Sequence, residues 1–125
     1  MPCDVPPLTD SQKQLLLAGV DLFNRELFFE CHELLEEAWL QSAGEQKMFL
    51  QGLIQMGVAL YHLRRNNLIG AKRLMEAGME KLSAFAPRHE QLEVQQLLEG
   101  AQALLKAAQE GTISNNIPLP KIIVS

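Results

Sequence analysis

Residues 27–42 read LFFECHELLEEAWLQS and contain neither Gly nor Pro. Large apolar side chains recur three and four apart, which predicts an amphipathic helix. Ser42-Ala43-Gly44 should end it, with Gly supplying the left-handed backbone common just past a helix. With about 100° between successive residues, Glu36 lies about 40° and Trp39 about 20° from His32 around the axis. Phe28, Phe29 and Leu35 fall within about 60°. An imidazole and a carboxylate are therefore expected on the most aromatic face of the chain.

A helix over about residues 45–65 should follow. It carries Gly52 and Gly57, each disfavoured by about 1 kcal/mol relative to Ala, which suggests close approach by a neighbouring backbone. Gln55 lies about 40° and His62 about 20° from Gln51, in a stripe filled by Met48, Val58 and Ala59. Upstream, Thr9-x-x-Gln12 is a capping box opening a helix over 10–24, with Asn24 as its terminator. Downstream, Asn66-Asn67 breaks the chain before a helix over 68–84. Pro87 suits the first turn of a helix over 88–109, and Gly111 stops it.

Residues 1–8 hold three prolines and should form an extended lead-in. Residues 112–125 should form an extended tail, either laid against the helices or free. Short connections make successive helices antiparallel neighbours. The expected fold is all-α, one domain over 1–125 built as a compact antiparallel bundle of about five helices. The turn over 66–71 resembles that of tetratricopeptide units, but the motif does not recur cleanly, so no array is expected.

Composition narrows the function classes. The chain has 125 residues, 47% of them apolar, and a net charge of −4, which argues against a general nucleic-acid binder. Cys3 and Cys31 make no disulfide framework; two free thiols in a reducing cytoplasm are expected. There is no signal-peptide pattern, and no apolar run approaches the roughly 20 residues that cross a bilayer.

Two blocks carry a family resemblance. Phe23-Asn24 followed by Phe28-Phe29-Glu30-Cys31-His32-Glu33-Leu34-Leu35-Glu36-Glu37-Ala38-Trp39 is the first. Phe49-Leu50-Gln51-Gly52-Leu53-Ile54-Gln55, running through Ala59 and His62 to Gly70-Ala71, is the second. Together they resemble the domain-of-unknown-function family numbered three-hundred-nine, small helical proteins of bacteria and archaea. The match covers about residues 10–82, and Ile-Pro-Leu-Pro-Lys near the end is also similar. The family often has Gly where this chain has Glu26. The resemblance implies a compact helical bundle and supplies no catalytic role.

The polar set His32, Glu36, Trp39, Gln51, Gln55 and His62 admits several readings. Buried polar groups without partners cost about 1–3 kcal/mol each, so such a set must satisfy itself, hold water or hold a ligand. One reading is a network that fixes helix register. Another is a non-enzymatic binding or interaction domain with a polar pocket between the second and third helices. The alternative is a metal-dependent or His/Glu acid–base enzyme using the same pocket. His32-Glu33-Leu34-Leu35-Glu36 lacks the second His of a zinc-protease helix. The Glu-x-x-His of di-iron bundles is absent too, since Phe29 and Ala59 stand three before the two histidines. No metal ligand set is therefore assigned, and the sequence points to no particular cofactor. The expected partners are a small ligand or a protein, a second copy of the chain among them, with neither membrane nor nucleic acid. The basic cluster Arg64, Arg65, Lys72 and Arg73 reads as solvated surface.

Overall fold

In the computed structural model, which describes residues 5–113 and 117–125, the first helix opens as the capping box requires. The Thr9 hydroxyl accepts from the Gln12 N–H at 3.1 Å, and the Gln12 side chain accepts from the Thr9 N–H at 2.8 Å. Five α-helices follow: α1 (Asp10–Asn24), α2 (Phe28–Leu40), α3 (Gly44–Arg64), α4 (Leu68–Leu82) and α5 (Val94–Gln109). A 3-10 turn (Ser83–Phe85) and a short hairpin, β1 (Arg88–His89) with β2 (Leu92–Glu93), lie between α4 and α5. The all-α bundle expected from periodicity is the architecture found.

The turns after α1 and α3 are built alike, forty residues apart. After α1, Leu27 N–H bonds to Leu22 O at 2.9 Å and Glu26 N–H to Phe23 O at 2.9 Å. After α3, Asn67 N–H bonds to His62 O at 2.9 Å and Asn66 N–H to Leu63 O at 3.1 Å. Both are Schellman endings, with φ of 62° at Glu26 and at Asn66. Asn tolerates that left-handed backbone; for Glu it costs about 1–2 kcal/mol. The Glu26 carboxylate in return meets Arg64 at 3.1 Å and Lys121 at 3.6 Å, tying this turn to α3 and to the tail. The matching burial of Cys31 and Ala71, Leu35 and Met75, and Ala38 and Gly78 extends the likeness through the two hairpins. It was hidden in sequence because the paired positions share size and polarity rather than identity.

Helix α3 is the centre of the molecule. Phe49, Leu50, Leu53, Met56, Ala59 and Leu60 are each fully or almost fully buried, so it is covered on most sides. Its crossing with α4 depends on two glycines. A Cβ on Gly78 would stand 2.9 Å from the Gly52 carbonyl oxygen, and one on Gly52 would stand 2.9 Å from Leu82 Cγ. The close approach expected at Gly52 is thus made against α4. A Cβ on Gly57 would meet nothing nearer than 3.9 Å, the Cys31 sulfur and the Phe23 ring.

The chain between Pro87 and Val94 departs from expectation. A helix from residue 88 was expected, but α5 begins at Val94 and residues 88–93 form the hairpin. Its two turn residues, Glu90 and Gln91, have φ of 48° and 66°, the pattern of a turn that normally uses Asn-Gly. With Glu-Gln there, no local signal marks it. What holds it is tertiary. The tail adds alongside: Glu93 N–H bonds to Ile123 O at 2.9 Å, Ser125 N–H bonds to Gln91 O at 2.8 Å, and Leu92 bridges Val124. Asn24 at the end of α1 clamps the tail through both arms of its amide, donating to Ile122 O and accepting from Ile122 N–H, each at 2.8 Å. Leu119 and Ile122 are buried, so the described part of the tail lies against the bundle.

Substitution of Gly78 at the crossing, with Gly57 as the comparison, should separate close approach from helix propensity. Gly78→Ala gains about 1 kcal/mol of propensity but overpacks against backbone, which costs about 1–3 kcal/mol. A net loss of up to about 2 kcal/mol is expected in urea denaturation, whereas Gly57→Ala should be neutral or stabilising by up to about 1 kcal/mol. Equal effects of the two would show that α3 and α4 can part freely.

Candidate functional site

The buried stripe of α2 is Phe28, Cys31, Leu35 and Ala38. His32 and Glu36 lie beside that stripe. The His32 side chain is 33% exposed and that of Glu36 52%, with Nε2 3.7 Å from the Glu36 oxygen, an ion-pair distance longer than a hydrogen bond. Phe29 is 59% exposed. Aromatic content thus does not by itself mark the core face: Phe28 is buried, Phe29 exposed and Trp39 half-buried, whereas the small Cys31 is buried and packs towards Gly57 where α1, α2 and α3 meet. Burial pushes the Cys31 thiol up to about 12, so it stays protonated near neutral pH. Trp39 is half-buried, with the Lys47 ammonium 4.2 Å above its ring. Cys3 lies outside the described residues.

On α3 the predicted ladder is real, but it faces the other way. Gln51, Gln55, Val58 and His62 are half-buried on a helix whose other central residues are mostly buried. They form the strip where this helix meets water, so most of them need no internal partner. The exception is the Gln55 carbonyl oxygen, which is buried and has no hydrogen-bond partner among the described residues. The His62 ring has a defined neighbour. Asn67 uses its carbonyl oxygen to cap Gly70 N–H at 3.1 Å, which turns its amide nitrogen towards His62 Nδ1 at 3.4 Å. That assigns Nδ1 as acceptor and leaves the proton on Nε2.

The two stripes meet at one end only. Phe28, Phe29 and His32 of α2 and Val58, Tyr61 and His62 of α3 line an open cleft of about 240 Å³ whose walls are almost wholly apolar. The structure therefore brings His32 and His62 to one cleft and leaves Glu36, Trp39, Gln51 and Gln55 outside its lining. Arg65 sits 5.4 Å from the Tyr61 ring, placing a cation near the rim. Among the described residues no group of three or more His, Cys, Asp or Glu is placed to hold a metal ion.

The densest polar cluster is elsewhere, among residues that periodicity did not single out. Gln46, only 6% exposed, donates from Nε2 to Pro6 O at 2.9 Å and to the Glu90 carboxylate at 2.7 Å. Its oxygen, thereby oriented, accepts from His89 Nε2 at 2.9 Å. Glu90 also accepts from Leu8 N–H at 3.1 Å and pairs with Lys13 at 3.4 Å. The left-handed backbone at Glu90 is what turns this carboxylate inward. Around it, His89 packs edge-on against Phe49 and tilted against Phe85, at 4.5 and 4.7 Å between ring centres. Nearby, Gln12 donates to Gln41 O at 2.9 Å and Ser42 Oγ at 3.0 Å. The only sequence signal for this latch was the capping box that names Gln12.

Both titratable groups of the latch make it acid-sensitive. Burial pushes the His89 imidazole below its ordinary 6.5, against the attraction of Glu90 and Glu45. Burial alone would raise the Glu90 carboxyl, but the Leu8 N–H, the Gln46 amide and Lys13 outweigh it and hold the group below its ordinary 4.5. A group with a depressed folded-state value contributes stability above its unfolded value and loses it as pH falls. Thermal melting should therefore weaken below about pH 6.5 through His89 and further below about pH 4.5 through Glu90. Glu90→Gln should cost about 1–3 kcal/mol at neutral pH and flatten the lower limb of the profile. An unchanged acid limb in that variant would show that Glu90 does not contribute.

Comparisons with known proteins agree with the motifs. The family model for the domain of unknown function DUF309 matches residues 16–74, from α1 to the middle of α4. The uncharacterized protein YpuF of Bacillus subtilis (strain 168) is 40% identical over 96 residues, covering 74% of this chain and 55% of that protein. The chain thus spans about half the length of the curated relative it matches. Both clefts walls, the Gly52–Gly78 crossing up to its α4 side, and the two Schellman turns belong to or border the matched segment. Residues 16–74 are therefore similar to DUF309, a domain whose function is unknown, as the two motifs implied.

Proposed function

We propose that this chain is a non-enzymatic protein-interaction module whose α2–α3 cleft takes one apolar side chain of a partner. The observation that carries this reading is the cleft itself. Its lining by Phe28, Phe29, His32, Val58, Tyr61 and His62 is almost wholly apolar, yet it opens to solvent. At about 240 Å³ it falls below the roughly 300–1,000 Å³ of clefts that enclose drug-sized ligands, which favours a side chain over a cofactor. Phe29, 59% exposed, offers an aromatic contact of the kind enriched at interfaces. The Nε2–H assigned to His62 supplies a donor for a polar atom of the bound segment.

No helix of the protein is long and apolar enough to cross a membrane, among the described residues. A cytoplasmic setting suits Cys31, a free thiol, since such compartments keep thiols reduced.

Titration with N-acetyl-leucinamide, followed by amide chemical-shift mapping, tests the cleft. Shifts should cluster on Phe29, His32, Val58 and His62 and be lost in Val58→Arg, with Phe29→Asp as a second variant at an exposed position. Shifts scattered over the surface, or indifferent to both substitutions, would overturn the reading.

A further inference from the structure

The α2 wall of the cleft carries charge of one sign. Glu30, Glu33, Glu36 and Glu37 are all exposed, and α2 contains no Lys or Arg. Only Glu36 has an ion-pair partner among the described residues, the half-buried His32. Taking Phe29 as the reference, Glu36 lies about 20° and Glu33 about 40° from it around the helix axis. Along the axis they follow it by about 10.5 and 6 Å. An apolar anchoring point is thus continued, on the same outward face, by carboxylates one and two turns away.

Resting on the cleft reading above, we infer that the partner is a basic amphipathic helix. One of its apolar side chains enters between Phe29 and Val58, and its Lys or Arg side chains lie against Glu33 and Glu36. The occupant is chosen by charge complementarity. An acidic segment would meet the exposed carboxylates of α2, a helix without Lys or Arg, and like charges placed together at an interface disfavour binding; Arg65 beside Tyr61 is the cation at the opposite, α3 rim. A helix suits the spacing, because residues four and seven along from the anchor return to the same face. Beyond the cleft lining, Gln55 and Gln51 follow Val58 along the half-buried strip of α3.

The test uses two labelled synthetic helices of about 14 residues, identical in leucine positions, one with lysines and one with glutamates. Fluorescence anisotropy should show the lysine helix binding at least about ten-fold tighter at low salt, with the preference shrinking as salt rises. The double variant Glu33→Lys/Glu36→Lys, at exposed positions, should weaken the lysine helix about ten-fold or more with melting unchanged. If Val58→Arg and Phe29→Asp abolish binding of both helices while the charge reversal changes nothing, the cleft reading stands and this inference falls. If charge reversal acts but neither cleft variant does, binding is surface electrostatics and both readings fall. Self-association of the protein, seen by sedimentation and lost on charge reversal, would overturn the inference in favour of a second copy.

Discussion

Where α3 crosses α4, the Gly52 carbonyl occupies space that a side chain on Gly78 would need. This absence of one carbon sets how closely the two helices lie, and much else follows from it. Close packing lets α4 cover one flank of α3 while α2 covers another, and Phe23 of α1 reaches the side that carries Gly57. Burial at about 25 cal/mol per Å² of apolar surface then comes mainly from one helix surrounded by others. The cost is that α3 has a single strip left for water, and polar residues must gather there.

That strip explains the Gln51–Gln55–His62 ladder without requiring an internal network. It also explains why the two stripes do not converge along their length. The two strips share a lining only where Phe29 and His32 meet Val58 and His62. A cleft forms at that end because α2 begins there with two aromatic residues, one buried and one exposed. The chemistry of the site is accordingly that of apolar recognition flanked by charge, with the imidazoles as polar punctuation.

A second set of polar interactions closes the molecule at the other end of these helices. Gln46 at the start of α3, Glu90 in the hairpin and Leu8 in the lead-in share one hydrogen-bond cluster, and Asn24 performs the same service for the tail. These segments have little regular structure of their own. Side chains supply the partners their backbone groups lack, which is the usual requirement for irregular chain at a buried contact. The strain of two left-handed residues at Glu90 and Gln91 is borne because the cluster and the tail hold the turn from outside.

The sequence alone determined the helices and their order. The capping box at Thr9, the unbroken run over 27–42, the Asn66-Asn67 break and the Gly52 close approach are local or periodic signals, and each stands in the structure. Tertiary structure decided the rest. Periodicity locates a stripe but not which of two adjacent stripes faces the core, so aromatic content drew attention to the His32 side of α2 while the core took the Cys31 side. Glu90-Gln91 carries no turn signal because its conformation is imposed by contacts from residues about 80 positions away in one direction and 34 in the other. The polar residues singled out from spacing were visible; only packing could show which of them share a cleft, since that depends on how α2 and α3 lie against each other.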